Sequence, residues 1–563
     1  MQSILNGLET WASKTGFKFA EGKSEILICT RKICLGNKPP NINLFLDKVK
    51  IKIVTEKRFL GVWFDWRMLW HIHLQYLKNN SLQDMNLLKT LAFSKTKTDT
   101  KMLLRIYQTM ILPKMDYGCL AYGTATTKKI GTYLDSIHHN ALRLCLGAFR
   151  TTPKESLYAE SNIHSLFYRR KILRIKYYAR TLTIHKDDTV CNLSDRRRDN
   201  MFRNSKRFET PAISIKYDMA ELGIKFPPIY EQKVSKIPPW ILPNIDICFE
   251  MQKFPKKSSP SQEIIAEFWK HKHTSDIDIY TDGSRTKTGV GAGIAICNNQ
   301  RQRQAGVKQF TEAKKPLNIK ANILSAELTA ISIALDYFSK LCNKTCTIFT
   351  DSKGSLQSIM QYDPKNPIVQ DIQAKLCRTY AFGNRISFCW IPSHCNIPGN
   401  ECADKMAKAA SSTPTSSFHL VTTQDLNFHI KVQGKKWLQN QWDAEDKNKL
   451  HLVDGKIGEK KYHIFKTRRE EIKYNRIRLG HTRLTNRYLL VPNGEDGSDP
   501  PICIICNRQI TIKHIFTNCP LYAEARKKFF GTKKMPEILD REQTGNSTKV
   551  INFLKYTNLY NEI

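Results

Sequence analysis

The sequence predicts a multidomain chain with a central α/β domain of mixed strands and helices, preceded by a mainly helical region and followed by a small cysteine-bearing segment. Three observations carry this. The 563 residues allow roughly three or four domains. A proline-dense stretch interrupts the chain near its middle. Beyond it, strand-like and helix-like runs alternate in one block from Asp276 to Ala410, the pattern of a single α/β domain. A hydrophobic fraction of 41% and a charged fraction of 25% are ordinary globular values, so the chain builds packed cores and is not a disordered tail.

The charge narrows the partners. Lys and Arg number 89 against 51 Asp and Glu, a formal charge of +38 carried on folded surface. Such a field draws polyanions, and nucleic acid is expected ahead of an anionic membrane. Binding should then weaken steeply with added salt, as counterions compete for the phosphates. The opening MQSILNGLETWASKTG has no basic stretch, apolar core and cleavage site in succession, and no window approaches 18 consecutive apolar residues. The expectation is a nuclear or cytoplasmic protein, neither secreted nor membrane-spanning. The 16 cysteines are scattered, which fits reduced thiols.

Residues 1–185 alternate short apolar runs with amphipathic stretches; Leu103, Leu104, Tyr107, Met110 and Ile111 fall on one helical face, a packing signal. Residues 186–270 read as a linker, with the basic run Arg196, Arg197 and Arg198 and then eight of the chain's 23 prolines, each fixing φ and removing a donor. Residues 271–412 form the α/β block, 413–480 a basic helical connector, 481–530 the cysteine-bearing segment and 531–563 a polar tail.

The block opens on DIDIYTDGS, where Ile277, Ile279 and Thr281 alternate with Asp278, Tyr280 and Asp282, the period of a half-buried strand ending in Asp282. The run GVGAGIAIC at 289–297 reads as its hairpin partner. In NILSAELTAISIALDYF, Leu324, Leu328, Ile331, Leu335 and Phe338 make a core-facing helical stripe, and Glu327 borders it. A carboxylate there needs a cation, since burying an unpaired charge costs several kcal/mol; a bound metal would serve. CTIFTDSKGS then repeats the first device, delivering Asp351 to a strand end. ISFCWIPSHCNIPGNECADKMAKAA reads as a strand over 386–391, a loop bearing His394 and a helix bearing Asp404.

Taken singly, each acid reads as a solvated residue. Together, the order TDGS, AEL, TDS and WIPSHCNIPGNECAD resembles the RNase H type 1 domain, which cleaves the RNA strand of RNA–DNA hybrids. The resemblance implies a ribonuclease H-like fold, catalytic Asp282, Glu327, Asp351, His394 and Asp404, and Mg²⁺ held by the four acids as a pair of ions, with Mn²⁺ as a substitute. His394 would assist proton movement or product departure. Ser393 before it fits the family, whereas Cys395 is a less usual neighbour. The chemistry agrees with the residue types: phosphodiester hydrolysis by two divalent ions roughly 4 Å apart calls for oxygen ligands.

Upstream, GFKFAEGKSEILICTR, KRFLGVWFD, LLRIYQTMILPKMDYGCLAYG and LRLCLGAFRTTPKESLYAE are similar to the segment after the polymerase active site in non-LTR (LINE-type, Jockey-like) retrotransposon reverse transcriptases. The helical region is thus expected to be a reverse-transcriptase C-terminal remnant. Nothing before Gly16 supplies the paired aspartates of a polymerase palm, so polymerase activity is not expected; the palm would be lost or separately encoded upstream. Asp187 and Asp188 read as surface acids. Lys23 and the run Phe59–Asp65 would grip a template-primer by analogy, with core packing of Phe59, Leu60, Val62 and Phe64 as the competing reading.

Downstream, Cys503-x2-Cys506-x7-His514-x4-Cys519 offers two chelate arms that can close a zinc tetrahedron. It resembles the zinc-knuckle-like CCHC element of such retrotransposon proteins, with RLGHTRLT just upstream also typical. Buried free thiols are the competing reading, and His481 is read as structural. The leading function is therefore a metal-dependent RNase H acting on hybrids, with RNA or single-stranded DNA as further nucleic-acid partners. The alternatives are a catalytically inactive nucleic-acid-binding remnant of a decayed retrotransposon and, less favoured, a DNA-binding host factor using the zinc segment.

Overall fold

The computed structural model describes residues 1–20, 23–30, 41–93, 98–123, 131–183, 211–231, 237–238, 240–253, 261–271, 275–299, 309–413, 419–462, 465–489, 499–543 and 545–563. Asp187, Asp188 and the arginine run at 196–198 lie outside them. The chain forms two compact units, one from Met1–Arg170 with Trp437–Ile563 and the other from Lys171–Lys436. Among the described residues no helix is long and apolar enough to cross a membrane.

The second unit is built on a six-stranded mixed sheet. After the helix Pro211–Glu221 come, in chain order, β1 (Asp246–Cys248), α1 (Ser261–His271), β2 (Ile277–Arg285), β3 (Val290–Asn298), β4 (Thr311–Leu317), α2 (Ile323–Phe338), β5 (Thr345–Thr350), α3 (Lys353–Ile359), α4 (Pro367–Ala381), β6 (Arg385–Trp390), α5 (Pro398–Ser411) and α6 (Thr423–Asp443), which belongs to this unit through Lys436. The sheet order is β4-β3-β2-β5-β6-β1, with antiparallel pairing among β4, β3 and β2 and parallel pairing from β2 through β1. β2 and β3 form the expected hairpin, closed where Thr286 donates its N–H to Gly289 O. The edge strand β4, TEAKKPL, has no apolar alternation; its exposed Lys314 and Lys315 and its proline blunt a free sheet edge. The opposite edge, β1, comes from the proline-rich stretch, where Cys248 is in register with Cys389.

The half-buried period read in β2 does not describe its surroundings. Every residue from Ile277 to Asp282 is buried, because α2 and α5 both pack on this strand. Asp278, at 0% exposure, accepts a hydrogen bond from Ser275 Oγ at 2.6 Å. The core gathers Ile279, Leu328, Ile331, Phe338, Ile348, Phe349 and Phe388. At Gly293 on β3 an added Cβ would stand 2.3 Å from Ala407 N and 2.4 Å from Ala403 O, so only glycine lets α5 lie flush on the sheet.

The first unit is mostly helical and is knitted from both ends of the chain. Leu103, Leu104, Tyr107 and Ile111 are buried as expected, but Met110 is 42% exposed, because Tyr107–Ile111 winds as a π-helix that breaks the 3.6-residue stripe. The hairpin Glu56–Phe59 with Val62–Asp65 buries Val62 and leaves Phe64 half-buried, whereas Phe59 and Leu60 stand exposed at a turn whose Leu60 and Gly61 have φ of 46° and 83°. Lys23 is exposed. The helix Arg468–Leu479 anchors the late segment on the early one: Glu471 accepts from Thr100 N at 3.0 Å, and Asn475 donates to Leu146 O at 3.1 Å. At its centre Arg478 and Arg541 both meet the fully buried Glu160.

Candidate active site

Parallel register brings the first two acids together. Thr281 of β2 pairs with Thr350 of β5, so Asp282 and Asp351 follow one residue later on neighbouring strands pointing the same way. Asp282 is buried, and its Oδ1 accepts from Gly283 N at 2.9 Å. Asp351 is half-buried, and its carbonyl oxygen accepts from the Trp390 indole at 3.0 Å, a tie from β6 that fixes the backbone beneath the carboxylate.

Glu327 arrives from α2. Asn322 caps this helix, accepting from Ser325 N at 2.8 Å, and Glu327 lies in the following turn. Helix and strand touch closely here: a Cβ on Gly283 would be 2.7 Å from Glu327 N. Glu327 is only 8% exposed, and its Oε2 has no hydrogen-bond partner among the described residues. Asp282, Glu327 and Asp351 each place a carboxylate oxygen within 4.8 Å of the other two.

Asp404 projects from α5 and belongs to a second group, with one ligand atom each from His394, Glu401 and Asp404 within 4.8 Å. Its Oδ2 is 2.5 Å from Lys408 Nζ. His394 is exposed on a loop where it and Asn396 have φ of 55° and 59°. Glu401 was not singled out in the sequence. Its signal was available, since a carboxylate three residues before Asp404 on one helix shares its face.

The electrostatics bind the two groups together. Burial, then the negative charges of Asp351 and Asp404, push the Asp282 carboxyl up to about 8. Burial, then Asp282 and Asp351, raise Glu327 well above the usual carboxylate range. Crowded, desolvated carboxylates hold protons unless a cation replaces them. The donor set is all carboxylate oxygen, the choice of a hard divalent ion, and the orphaned Glu327 Oε2 is a ligand atom without another use, so these residues fit Mg²⁺.

The Cys/His cluster is equally compact. Cys503, Cys506, His514 and Cys519 bring their ligand atoms within 4.8 Å of one another. Cys503 Sγ is 3.8 Å and Cys506 Sγ 3.9 Å from Cys519 Sγ. These separations are far too long for disulfides, and they equal the edge of about 3.8 Å in a tetrahedron with Zn–S bonds of about 2.3 Å. Hydrogen bonding to His514 leads the effects that lower the Cys503 thiol to about 6, which favours the thiolate a metal needs. His481 is buried and is not a member of this cluster.

Residues 274–412 match the model of the RNase H family. Among curated proteins, the chain is 28% identical over 194 residues to the Pol polyprotein of equine infectious anemia virus (strain Wyoming), a match covering 31% of this chain and 15% of the polyprotein. It is 26% identical over 156 residues to the ribonuclease H of Edwardsiella ictaluri (strain 93-146), covering 25% of this chain and 92% of that enzyme. The match thus spans about 15% of the Pol polyprotein's length. Among solved structures, an N-terminal RNase H domain from Mycobacterium tuberculosis, fused to maltose binding protein, aligns at 20% identity over 24% of this chain and 98% of that chain, with a TM-score of 0.20, too low to carry weight. Residues 274–412 are an RNase H domain within a longer, multidomain chain.

Proposed function

We propose that this domain hydrolyses the RNA strand of RNA–DNA hybrids endonucleolytically, with Asp282, Glu327, Asp351 and Asp404 holding two Mg²⁺ ions, or Mn²⁺ in their place. The observation that carries the reading is the convergence of three carboxylates, two of them buried, on one point. Crowding desolvated carboxylates costs stability, and a protein keeps such an arrangement where it does chemistry. When bound, the ions activate water and neutralise charge on the leaving oxygen. Asp282 and Asp351, fixed by strand register, set one edge of the site; Glu327 closes it from the helix. His394, exposed beside Asp404 and Glu401, would assist proton movement or product departure. Lys314 and Lys315, exposed on β4, add to a basic surface that grips phosphates, while contacts to 2′-hydroxyls select RNA.

We further propose that Cys503, Cys506, His514 and Cys519 bind one Zn²⁺, on the strength of the sulfur–sulfur edges. The wider setting we propose is a retrotransposon-derived protein that works beside a reverse transcriptase core. The intact chain with Mg²⁺ should cleave a labelled RNA–DNA hybrid and leave DNA duplex intact, and Asp351→Asn should lose roughly a thousandfold of that activity. Hybrid binding without cleavage by the wild type would instead favour the inactive-remnant reading.

A further inference from the structure

The RNase H match ends at residue 412, but the α/β unit continues, and its next helix, α6, reaches back to the start of α2, the helix that carries Glu327. Asp425, 1% exposed in the first turn of α6, divides its carboxylate between two helices. Oδ2 serves its own helix, accepting from Thr422 N and Thr422 Oγ1, both at 2.8 Å. Oδ1 serves α2, accepting from Asn322 N at 2.7 Å and Ser325 Oγ at 2.8 Å.

We propose that Asp425 is a positioning residue for Glu327, clamping the first turn of α2 so that the Glu327 carboxylate is held at the metal site. This rests on the hydrolase reading for the role of Glu327. The geometry defines the clamp. Two fixed points lie on the turn that leads into Glu327: the Asp425 carboxylate at Asn322 and Ser325, and the close passage of Ala326 and the Glu327 N–H over Gly283. A helix held at both points can neither slide nor turn about its axis. The negative charge also sits at the N-terminus of α2, where the helix dipole favours it. α6 is itself braced: Val421 is fully buried, donates its N–H to Pro228 O and accepts from Tyr230 N, both at 3.0 Å, and the Arg285 guanidinium at the end of β2 lies 4.3 Å from the Phe428 ring centroid.

The test titrates the full-length zinc-loaded chain with MnCl₂ by calorimetry, for wild type, Asp425→Asn, Ser325→Ala and Asp351→Asn, with far-UV circular dichroism as the fold control. Mg²⁺ dependence of hybrid cleavage is measured alongside. Asp425→Asn is expected to fold, to bind Mn²⁺ roughly tenfold more weakly, and to need correspondingly more Mg²⁺ while KM for the hybrid stays unchanged, the behaviour of an outer-shell residue. Ser325→Ala, which removes one bond of the clamp, should shift Mn²⁺ affinity in the same direction and by less. Wild-type affinity in a folded Asp425→Asn overturns the proposal. If that variant unfolds, Ser325→Ala decides, and unchanged Mn²⁺ affinity there overturns it. Wild type that binds Mn²⁺ without cleaving hybrid defeats the hydrolase reading alone, and weaker binding by Asp425→Asn would still support the clamp; no Mn²⁺ binding by wild type defeats both.

Discussion

Glu160 and Arg478 meet in a two-pronged, fully buried ion pair: Arg478 donates from Nε to Oε1 at 2.9 Å and from Nη2 to Oε2 at 3.1 Å. Arg541 adds a second guanidinium, 2.5 Å from Oε1, and Asp454 takes part of the excess positive charge at 3.0 Å from Arg478. Burial alone would raise the Glu160 carboxyl, but the two guanidiniums hold it well below the ordinary range. Glu160→Ala strands two buried cations, and the expected loss is about 3–5 kcal/mol in a urea unfolding titration of the full chain. A loss below about 1 kcal/mol would show that water replaces the carboxylate at little cost.

Removing charge from the acid cluster should separate stability from activity. Asp351→Asn relieves repulsion on Asp282 and Glu327, both raised in part by the Asp351 charge. In EDTA the variant is expected to melt a few degrees above wild type, a shift that corresponds to about 1 kcal/mol, while hybrid cleavage in Mg²⁺ falls by roughly a thousandfold. A lower melting temperature in EDTA would contradict the electrostatic account of the site.

Gly293 should tolerate no side chain. Its Cβ would meet backbone of α5 on two sides, and backbone cannot rotate away. Gly293→Ala is expected to cost about 1–3 kcal/mol by overpacking and to impair cleavage more than stability explains, because α5 carries Asp404. The comparison is specific activity against thermal midpoint, with Gly455→Ala, whose Cβ meets nothing within 4 Å, as the neutral control.

The zinc reading has a spectroscopic check. Replacing zinc with Co²⁺ should give one equivalent of a tetrahedral thiolate-bound ion with intense near-ultraviolet charge-transfer bands, lost in Cys519→Ser. Chelation should also lower the melting temperature of the first unit, because Ile515 and Phe516, beside His514, sit in a core with Phe530 and Phe553. An unchanged melting temperature on complete zinc removal would mean that the cluster does not support that core.

Acid should weaken the first unit before ordinary carboxylates titrate. Burial leads the causes that lower His73 and His164 to about 4 and His138 to about 3. In the unfolded chain these rings titrate near 6.5. Their neutral forms are favoured by folding, so the contribution is complete above pH 6.5, falls as pH drops below it, and levels off below about pH 3 to 4. Urea midpoints measured from pH 7 to pH 5 should decline, and a flat profile would mean that the three histidines accept protons without cost.

Asp282, Glu327 and Asp351 stand out in the sequence because each follows a short β-rich run or borders a strongly periodic helix, and parallel register brings the two aspartates side by side; Asp404 stands out only through the motif around it. Glu401 escaped because nothing marks it beyond its spacing to Asp404. Strand β4 escaped because an edge strand full of lysines carries no apolar alternation. β1 sits in a stretch dense with prolines, where three residues of strand are too few to show a period. Asp425 could not be anticipated, since a buried capping aspartate looks like any other Thr-x-x-Asp box until its second oxygen is seen on another helix. Phe59 and Leu60 show the converse limit: an apolar run says that side chains avoid water on average, not that a turn residue does so.

The first unit draws on residues before 171 and after 436, so a ribosome completes the α/β unit while the partners of Glu160 remain unsynthesised. A nascent chain halted anywhere before Arg478 would carry that carboxylate with neither guanidinium to receive it. A premature stop codon before Arg478 is thereby felt 318 residues upstream, at Glu160, and the shortened chain would offer that unpaired helix to chaperones and proteases.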